Sequence, residues 1–472
     1  TLMRNLHCKY AILFVLFCLG CASGAIAAAE ASSSPDSIDW ESHFRYQYDY
    51  TLQETVGLQR DAAPVEVTLS AKAGEVADWE KDVRVIRVGA HGEKELVPVQ
   101  VYGQAKAQTP SSENPPTESA NIVFIASCPA SKSVTYRLLW CRTDSLALPK
   151  AYPKNPLHVT GKIPGITVES QHYSIALSEK CGAIIKARRA QQDDEKAIDF
   201  FQNIPIHFVA DVWSPPESWD HDYDWATPPN QEIIQGPLMV KYHRWGPMSR
   251  YKDVMAYLTY TFYADVPYVH VASMMEFTEN RSTRAVRLGE VVTTHLETKE
   301  HRRDRKEELV PVFTHYAWPE GDRVTVCDIA KNLNSENVAV VEGYVEGALA
   351  ILDRDVPWVA AYHEKDKYGM ASLRKSHVAM NKLGGPLPFT APSTYLGQYG
   401  WGFTYWSRPE VYPFGPHGTD LDRNTVVAEG TIFANEEALL VFDPSRRLEE
   451  VRNAYQAFTE PLRLQFKGTG PW

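Results

Sequence analysis

The chain has 472 residues, 44% of them hydrophobic, and a formal net charge of −11. That length and apolar content leave room for two or three domains with large cores and exclude global disorder. The acidic balance, without a basic stripe, excludes nucleic acid as the partner, because such binding replaces counterions with Lys and Arg.

At the N-terminus Arg4 and Lys9 flank the start of an apolar run, "AILFVLFCL" at 11–19, and the small residues "GCASGAIAAAEA" follow. This is the order of a secretory signal. The run falls short of the roughly 20 residues a membrane helix needs. Cleavage after Ala27 is expected, giving a signal over 1–27, a Ser-rich leader over 28–39 and a secreted or periplasmic protein. Lipidation of Cys21, and so a surface lipoprotein, is the competing expectation, weakened by Cys18 three residues earlier. No later run suits a membrane span. Four cysteines remain after cleavage (Cys128, Cys141, Cys181 and Cys327), with no CxxC pair and no zinc spacing. Buried thiols are expected, with a Cys128–Cys141 bridge as the alternative.

Period-two patterning then begins. "APVEVTLSA" alternates as a half-buried strand does. "DVRVIRVGAHGEKELVPVQVYG" reads as two strands about a Gly-containing turn, and "ANIVFIASCPASKSVTYRLLW" as a second hairpin. Together they predict a small N-terminal β-barrel or sandwich over 40–155. The Pro- and Gly-rich "LPKAYPKNPLHVTGKIPG" marks its end. Beyond it "QHYSIALSEKCGAIIKARR" predicts a hairpin turning at Gly182, followed by the long strand candidates "GPLMVKYHRWGP", "MAYLTYTFYAD", "PYVHVASMMEFTE", "AVRLGEVVTTHLE" and "VFTHYAW". Long antiparallel strands suit a large sandwich over 156–472. A helix is expected in "DPSRRLEEVRNAYQAF", with Asp443 as cap, Pro444 at its first position and Leu448, Val451, Tyr455 and Phe458 as its apolar stripe. A shorter helix is expected over 371–382.

The order of signal, small β-domain and "HYSIALSEKCGAIIKA" opening a large antiparallel region, with the phrases "RWG", "FTHYAW" and "GWGFTYWSR", resembles bacterial polysaccharide lyases. The likeness is to the β-domains of exo-acting rhamnogalacturonan lyases and to some ulvan lyases, although no α/α-toroid follows here. The resemblance implies an all-β protein whose large domain is an antiparallel galactose-mutarotase-like supersandwich. It implies an enzyme that cleaves a uronate-containing, anionic polysaccharide by β-elimination and requires no cofactor.

Such chemistry needs a neutralised carboxylate, a base for the C5 proton and an acid for the leaving oxygen. His315 stands where a β-run meets the turn "WPEGD" and is the expected base, with His243 and His295 next. Tyr405 or Tyr260 is the expected acid. Arg244 or Arg408 would hold the carboxylate bidentately. Trp401, Tyr399, Trp406 and Trp318 supply flat faces for sugar rings. In the loop 212–229, Asp220, Asp222 and Asp224 alternate at a spacing that can ligate calcium, but without the Gly and distal Glu of an EF-hand; a plain acidic rim is the other reading. Two further readings stand beside the lyase. One is a glycoside hydrolase using two carboxylates, with Glu290 or Asp211 as candidates. The other is a non-catalytic carbohydrate-binding surface protein.

Overall fold

The computed structural model describes residues 38–105, 117–144, 148–190, 198–199, 211–293, 313–329, 338–341, 344–352, 355–388, 394–399, 403–411 and 424–467. The protein is all-β, and its sheets are antiparallel throughout the described pairings. None of its described helices is long and apolar enough to cross a membrane.

Two hydrophobic cores organise it. The smaller contains Tyr50, Val67, Ile122, Phe124, Leu138 and Trp140. It lies between a sheet built on Phe44–Gln53, Val83–Val88 and Ser133–Arg142 and another built on Arg60–Lys72, Gln100–Ala105 and Thr117–Cys128. The last described strand, Arg463–Lys467, returns to pair with Phe44–Gln53, so this sandwich takes chain from both ends of the sequence. The expected hairpin over 120–140 does not form. Thr117–Cys128 pairs with Arg60–Lys72, while Ser133–Arg142 pairs with Phe44–Gln53. The four residues between them carry the chain from one sheet to the other, because each strand has a buried face that must meet the same core. All four cysteines are free and buried.

The larger core is enclosed by a nine-stranded and a seven-stranded sheet. At the centre of the first, Tyr268–Phe277, Thr431–Phe442 and Tyr368–Asn381 lie side by side. In the second, Asp211–Trp213, Ala285–Thr293, Phe403–Val411 and Thr394–Tyr399 are consecutive neighbours. Leu288, Trp406 and Leu439 fill the space between the sheets. The Tyr173–Leu177 and Ile184–Arg189 hairpin forms as expected, with Gly182 at φ +71°, a backbone state in which a Cβ is unfavourable.

The helix expected over 371–382 is a strand, Tyr368–Asn381. Its apolar residues match a helical stripe, but pairing with Trp358–His363 on one side and Thr431–Phe442 on the other wins. The late helix forms as Glu449–Thr459, burying Val451, Ala454 and Phe458. Asp443 caps only a preceding 3₁₀ turn, Pro444–Arg446, and left-handed Arg447 and Leu448 separate the two.

Candidate functional site

A polar cluster interrupts the contact between the two large sheets. Arg374 and His377 project from Tyr368–Asn381, Asn435 and Glu437 from Thr431–Phe442, and Arg408 and Glu410 from Phe403–Val411. Asp355 enters just before Trp358–His363. In a two-sheet fold these inward positions would ordinarily be apolar, so charge here has to be satisfied inside the cluster.

Asp355 bridges the arginines: its Oδ1 accepts from Arg374 Nη1 at 2.7 Å and its Oδ2 from Arg408 Nη2 at 2.5 Å. Arg374 Nη1 also donates to Thr394 Oγ1 at 2.7 Å. Glu437 lies 3.5 Å from Arg408 and accepts from Ser372 Oγ at 2.8 Å. Asn435 Oδ1 is shared between Arg408 Nη1 and His377 Nδ1. His377 Nε2 faces the buried Glu410 carboxylate at 3.3 Å. Nδ1 thus has a hydrogen-bond acceptor and Nε2 a carboxylate neighbour, surroundings that favour the imidazolium form. Gly289 makes room for this arrangement: a Cβ there would lie 2.6 Å from Glu437 Oε1, at φ +57°.

The environment drives two half-open groups apart. Burial alone would raise the Asp355 carboxyl, but the two guanidinium groups outweigh it and hold it below the usual range; His377 adds to that effect. Burial would lower His377, but Glu410 outweighs it and raises the imidazole. Asp355 and His377 keep 27% and 25% of their side-chain surface open, whereas Arg374, Arg408, Glu410 and Glu437 are buried. Four buried N–H-bearing atoms in the cluster, Arg374 Nε and Nη2, Arg408 Nε and Asn435 Nδ2, have no hydrogen-bond acceptor among the described residues.

A second polar cluster lies on the same seven-stranded sheet. Arg287 pairs with Asp211 and, at 2.9 Å, with Glu290. The imidazole of His221 is clamped between Asp211 at 3.0 Å and Asp224 at 3.1 Å. Burial opposes protonation of His221, yet the two carboxylates lift it to about 10. Trp213, Trp219, His221 and Tyr223 stack in a ladder, the last pair 4.4 Å apart. Asp211 and Glu290 therefore do meet, but across an arginine that pairs with both.

The expected site residues scatter. Arg244 is fully buried, paired with Asp222 and donating to the Cys181 carbonyl at 2.9 Å, so it is a core ion pair rather than a substrate clamp. Tyr260 is fully buried, and burial raises its phenol, which removes it from contact with a substrate. Trp406 and Trp318 are buried core residues, not exposed sugar platforms. Arg408 binds carboxylates as expected, but they are those of Asp355 and Glu437. The aspartates do not converge: Asp220 accepts from the Arg250 and Tyr251 amides, Asp222 pairs with Arg244 and Asp224 with His221. Among the described residues no group of three His, Cys, Asp or Glu side chains could hold a metal ion. The three aspartates of the DxDxD loop thus face three different structural partners.

His243 bonds to Thr259 Oγ1 at 2.8 Å and stacks on Trp245, and burial lowers its imidazole. His315 stacks on Tyr362 at 5.2 Å, with Nδ1 2.8 Å from Thr314 Oγ1 and Nε2 4.0 Å from Glu364. None of these partners belongs to the inter-sheet cluster. His295 and Trp401 lie outside the described residues; Tyr399 and Tyr405 are placed in strands, and their side chains lie outside the description.

Sequence reasoning missed Asp355, Arg374, His377, Glu410, Asn435 and Glu437. The signal was a charge inside an apolar strand run, as in "MASLRKSHVAM" and "TIFANEEALLVF". Reading 371–382 as a helix hid the first of these.

No family model matches the chain, and no curated protein matches it. Solved structures do. A glycosyl hydrolase family 38 protein from Enterococcus faecalis is similar over 92% of this chain and 49% of its own, at 10% identity and TM-score 0.47. An α-mannosidase from Enterococcus faecalis V583 matches over 91% and 47%, at 10% identity and TM-score 0.48. A galactose mutarotase-like protein from Lactobacillus casei matches over 59% of this chain and 99% of its own, at 11% identity and TM-score 0.29. The chain thus spans about half the length of the two enterococcal proteins.

Proposed function

We propose that the protein is a carbohydrate-active enzyme that cleaves glycosidic bonds by acid–base catalysis at the inter-sheet cluster. One observation carries this reading: two half-open groups in one cluster are shifted in opposite directions, His377 toward its protonated form and Asp355 toward its ionised form. A pair of neighbouring groups whose environments separate their proton affinities is what paired acid and base roles require. In hydrolysis the His377 imidazolium gives its proton to the leaving oxygen, with Glu410 stabilising the ring's charge. The Asp355 carboxylate accepts a proton from the attacking water or stabilises positive charge at the anomeric carbon. Arg374 and Arg408 keep Asp355 ionised and fixed.

β-Elimination on a uronate is the second reading. There Asp355 would take the C5 proton and His377 would again protonate the leaving oxygen. The four donors without acceptors are closed to solvent, so they do not reach a substrate carboxylate as the cluster stands. The charge balance favours hydrolysis: each cation in the cluster already has an anionic partner, so a uronate would enter without a free counter-charge. The export reading rests on the residues 1–27 alone, and sequencing the N-terminus of protein recovered from the exported fraction tests it.

The test is a panel of neutral and uronate-containing glycans, with reducing ends and near-ultraviolet absorbance followed together. Reducing ends without absorbance identify hydrolysis; an absorbing unsaturated uronyl end identifies elimination. His377→Gln should then lower the rate by about 10²- to 10⁴-fold, the range for a general acid. A variant with normal turnover on the cleaved glycan would remove the reaction from this cluster, and absence of both products across the panel would count against cleavage.

A further inference from the structure

Arg374 and His377 both reach the inter-sheet cluster from one strand, although a regular strand turns residues three apart to opposite faces. A bulge makes the difference. In the pairing of Tyr368–Asn381 with Thr431–Phe442, Arg374 lies opposite Glu437 and Ser376 opposite Glu436, so Lys375 is the extra residue. Beyond it the register is shifted by one, and His377 falls directly opposite Asn435. Bulges re-aim side chains within a ladder, and the side chain re-aimed here is the imidazole.

Asn435 is 4% exposed, and its Oδ1 stands between two donors, Arg408 Nη1 from the other sheet and His377 Nδ1 at 2.8 Å. A guanidinium can only donate, so the amide must turn its oxygen toward Arg408. That same oxygen forms a hydrogen bond with Nδ1 only when Nδ1 carries a proton. Arg408 is itself held by the Asp355 carboxylate and lies 3.5 Å from Glu437, so the guanidinium that orients the amide is fixed. Nδ1 is thus committed. Nε2, 3.3 Å from the buried Glu410 carboxylate, is the nitrogen left to exchange its proton. The charges that act on the ring are Glu410 and Arg408 across the sheets and Asp355 beside them, with Arg374 and Glu437 completing the cluster.

We propose that Asn435 is the positioning residue of this cluster: it holds the His377 ring by Nδ1, so that the proton delivered to the leaving oxygen comes from Nε2. This role rests on the acid function given to His377 above. After the transfer the ring is neutral, keeps its Nδ1 proton and turns an Nε2 lone pair toward Glu410. A lone pair beside a carboxylate favours uptake of a proton from water, which restores the acid.

NMR of the full chain carrying ring-¹⁵N histidine reads the proton directly, with His377→Gln identifying the signal. In the wild type Nδ1 should keep its proton throughout the titration of the ring, while Nε2 loses its own. Asn435→Leu removes the acceptor at similar volume. It should release the Nδ1 proton and lower kcat on the cleaved glycan by about 10²-fold, the scale of a misplaced group, with KM little changed. Asn435→Asp keeps an acceptor and adds negative charge beside the ring. It should retain the Nδ1 proton, restore most of kcat and move the alkaline limb of the rate to higher pH. The wild-type and Asn435→Asp measurements decide the matter if Asn435→Leu does not fold. A neutral wild-type ring protonated at Nε2 overturns the proposal, as does Asn435→Leu with unchanged tautomer and kcat. Either result beside an inactive His377→Gln sinks the positioning role alone; normal turnover in His377→Gln sinks the acid function and this role with it.

Discussion

His221→Gln should destabilise the protein most at mildly acidic pH, by an amount that shrinks steadily as the pH rises. In the folded chain the imidazole is held between Asp211 and Asp224 and lifted from 6.5 to about 10. A group whose folded value is raised contributes stability that is complete below its unfolded value and is lost as pH climbs through its folded value. The window is therefore about pH 6.5 to 10. Each tenfold gain in proton affinity is worth about 1.4 kcal/mol, so the whole rise sets a ceiling near ~5 kcal/mol. Asp211 keeps Arg287 when the imidazolium is gone, so a realised loss of about 2–3 kcal/mol is expected at pH 6. Thermal unfolding of wild type and variant, measured side by side from pH 6 to 9.5, reads the difference while cancelling every other titration they share. The gap should narrow toward zero as pH 10 is approached. A gap that is constant with pH would mean that His221 contributes shape and neutral hydrogen bonds rather than charge, and would refute the clamp.

Arg244→Met should lower stability by about 3–5 kcal/mol in denaturant titration, because it leaves the Asp222 carboxylate buried without its cation. Gly289→Ala should cost more than about 1 kcal/mol by the same measurement, since the new methyl needs a strained positive φ and meets Glu437 Oε1. It should also slow turnover by disturbing the partner of Arg408. His315→Ala should lower the unfolding midpoint through loss of the Tyr362 stack and leave turnover of the folded enzyme near normal; a rate loss of about 10²-fold or more without loss of stability would return His315 to the catalytic role.

The all-β class was legible because strand alternation and turn residues are local signals. "APVEVTLSA" and the Gly182 hairpin declare themselves within a dozen residues. Which strands share a sheet was not local. The turn at 129–132 looks like a hairpin turn, but the pairing on either side is set by strands about 45 to 98 residues away. The site was harder for the same reason. Its groups come from three strands and one approach segment, spaced between residues 355 and 437, and no two of them form a motif. Arg408 was legible as a carboxylate binder from its chemistry, but not that its carboxylates are its own chain's. Arg244 failed for a related reason: alternation places it opposite His243, but only the packed structure shows that its face is the buried one.

The strand Thr431–Phe442 shows how closely fold and proposed function are tied here. Glu436 and Glu437 are adjacent, yet they serve opposite faces, the first against Lys375 and His270 and the second in the acid–base cluster. Its neighbour Tyr368–Asn381 carries Lys375 and Arg374 in the same division, and a bulge between Arg374 and Ser376 fits that crowding into the ladder. Side chains alternate along a strand, so a slip of one residue would exchange the two faces at once. It would carry Glu437 and Asn435 out of the cluster and place Glu436 against Arg408. The register is held against that slip by the apolar end of the strand, where Leu439 packs inside the larger core and Ala438, Leu440 and Phe442 are buried as well. The polar middle, "NEE", is thus positioned by the hydrophobic end, "ALLVF". A charged group can be kept inside this sandwich only because most of the same strand is committed to burial.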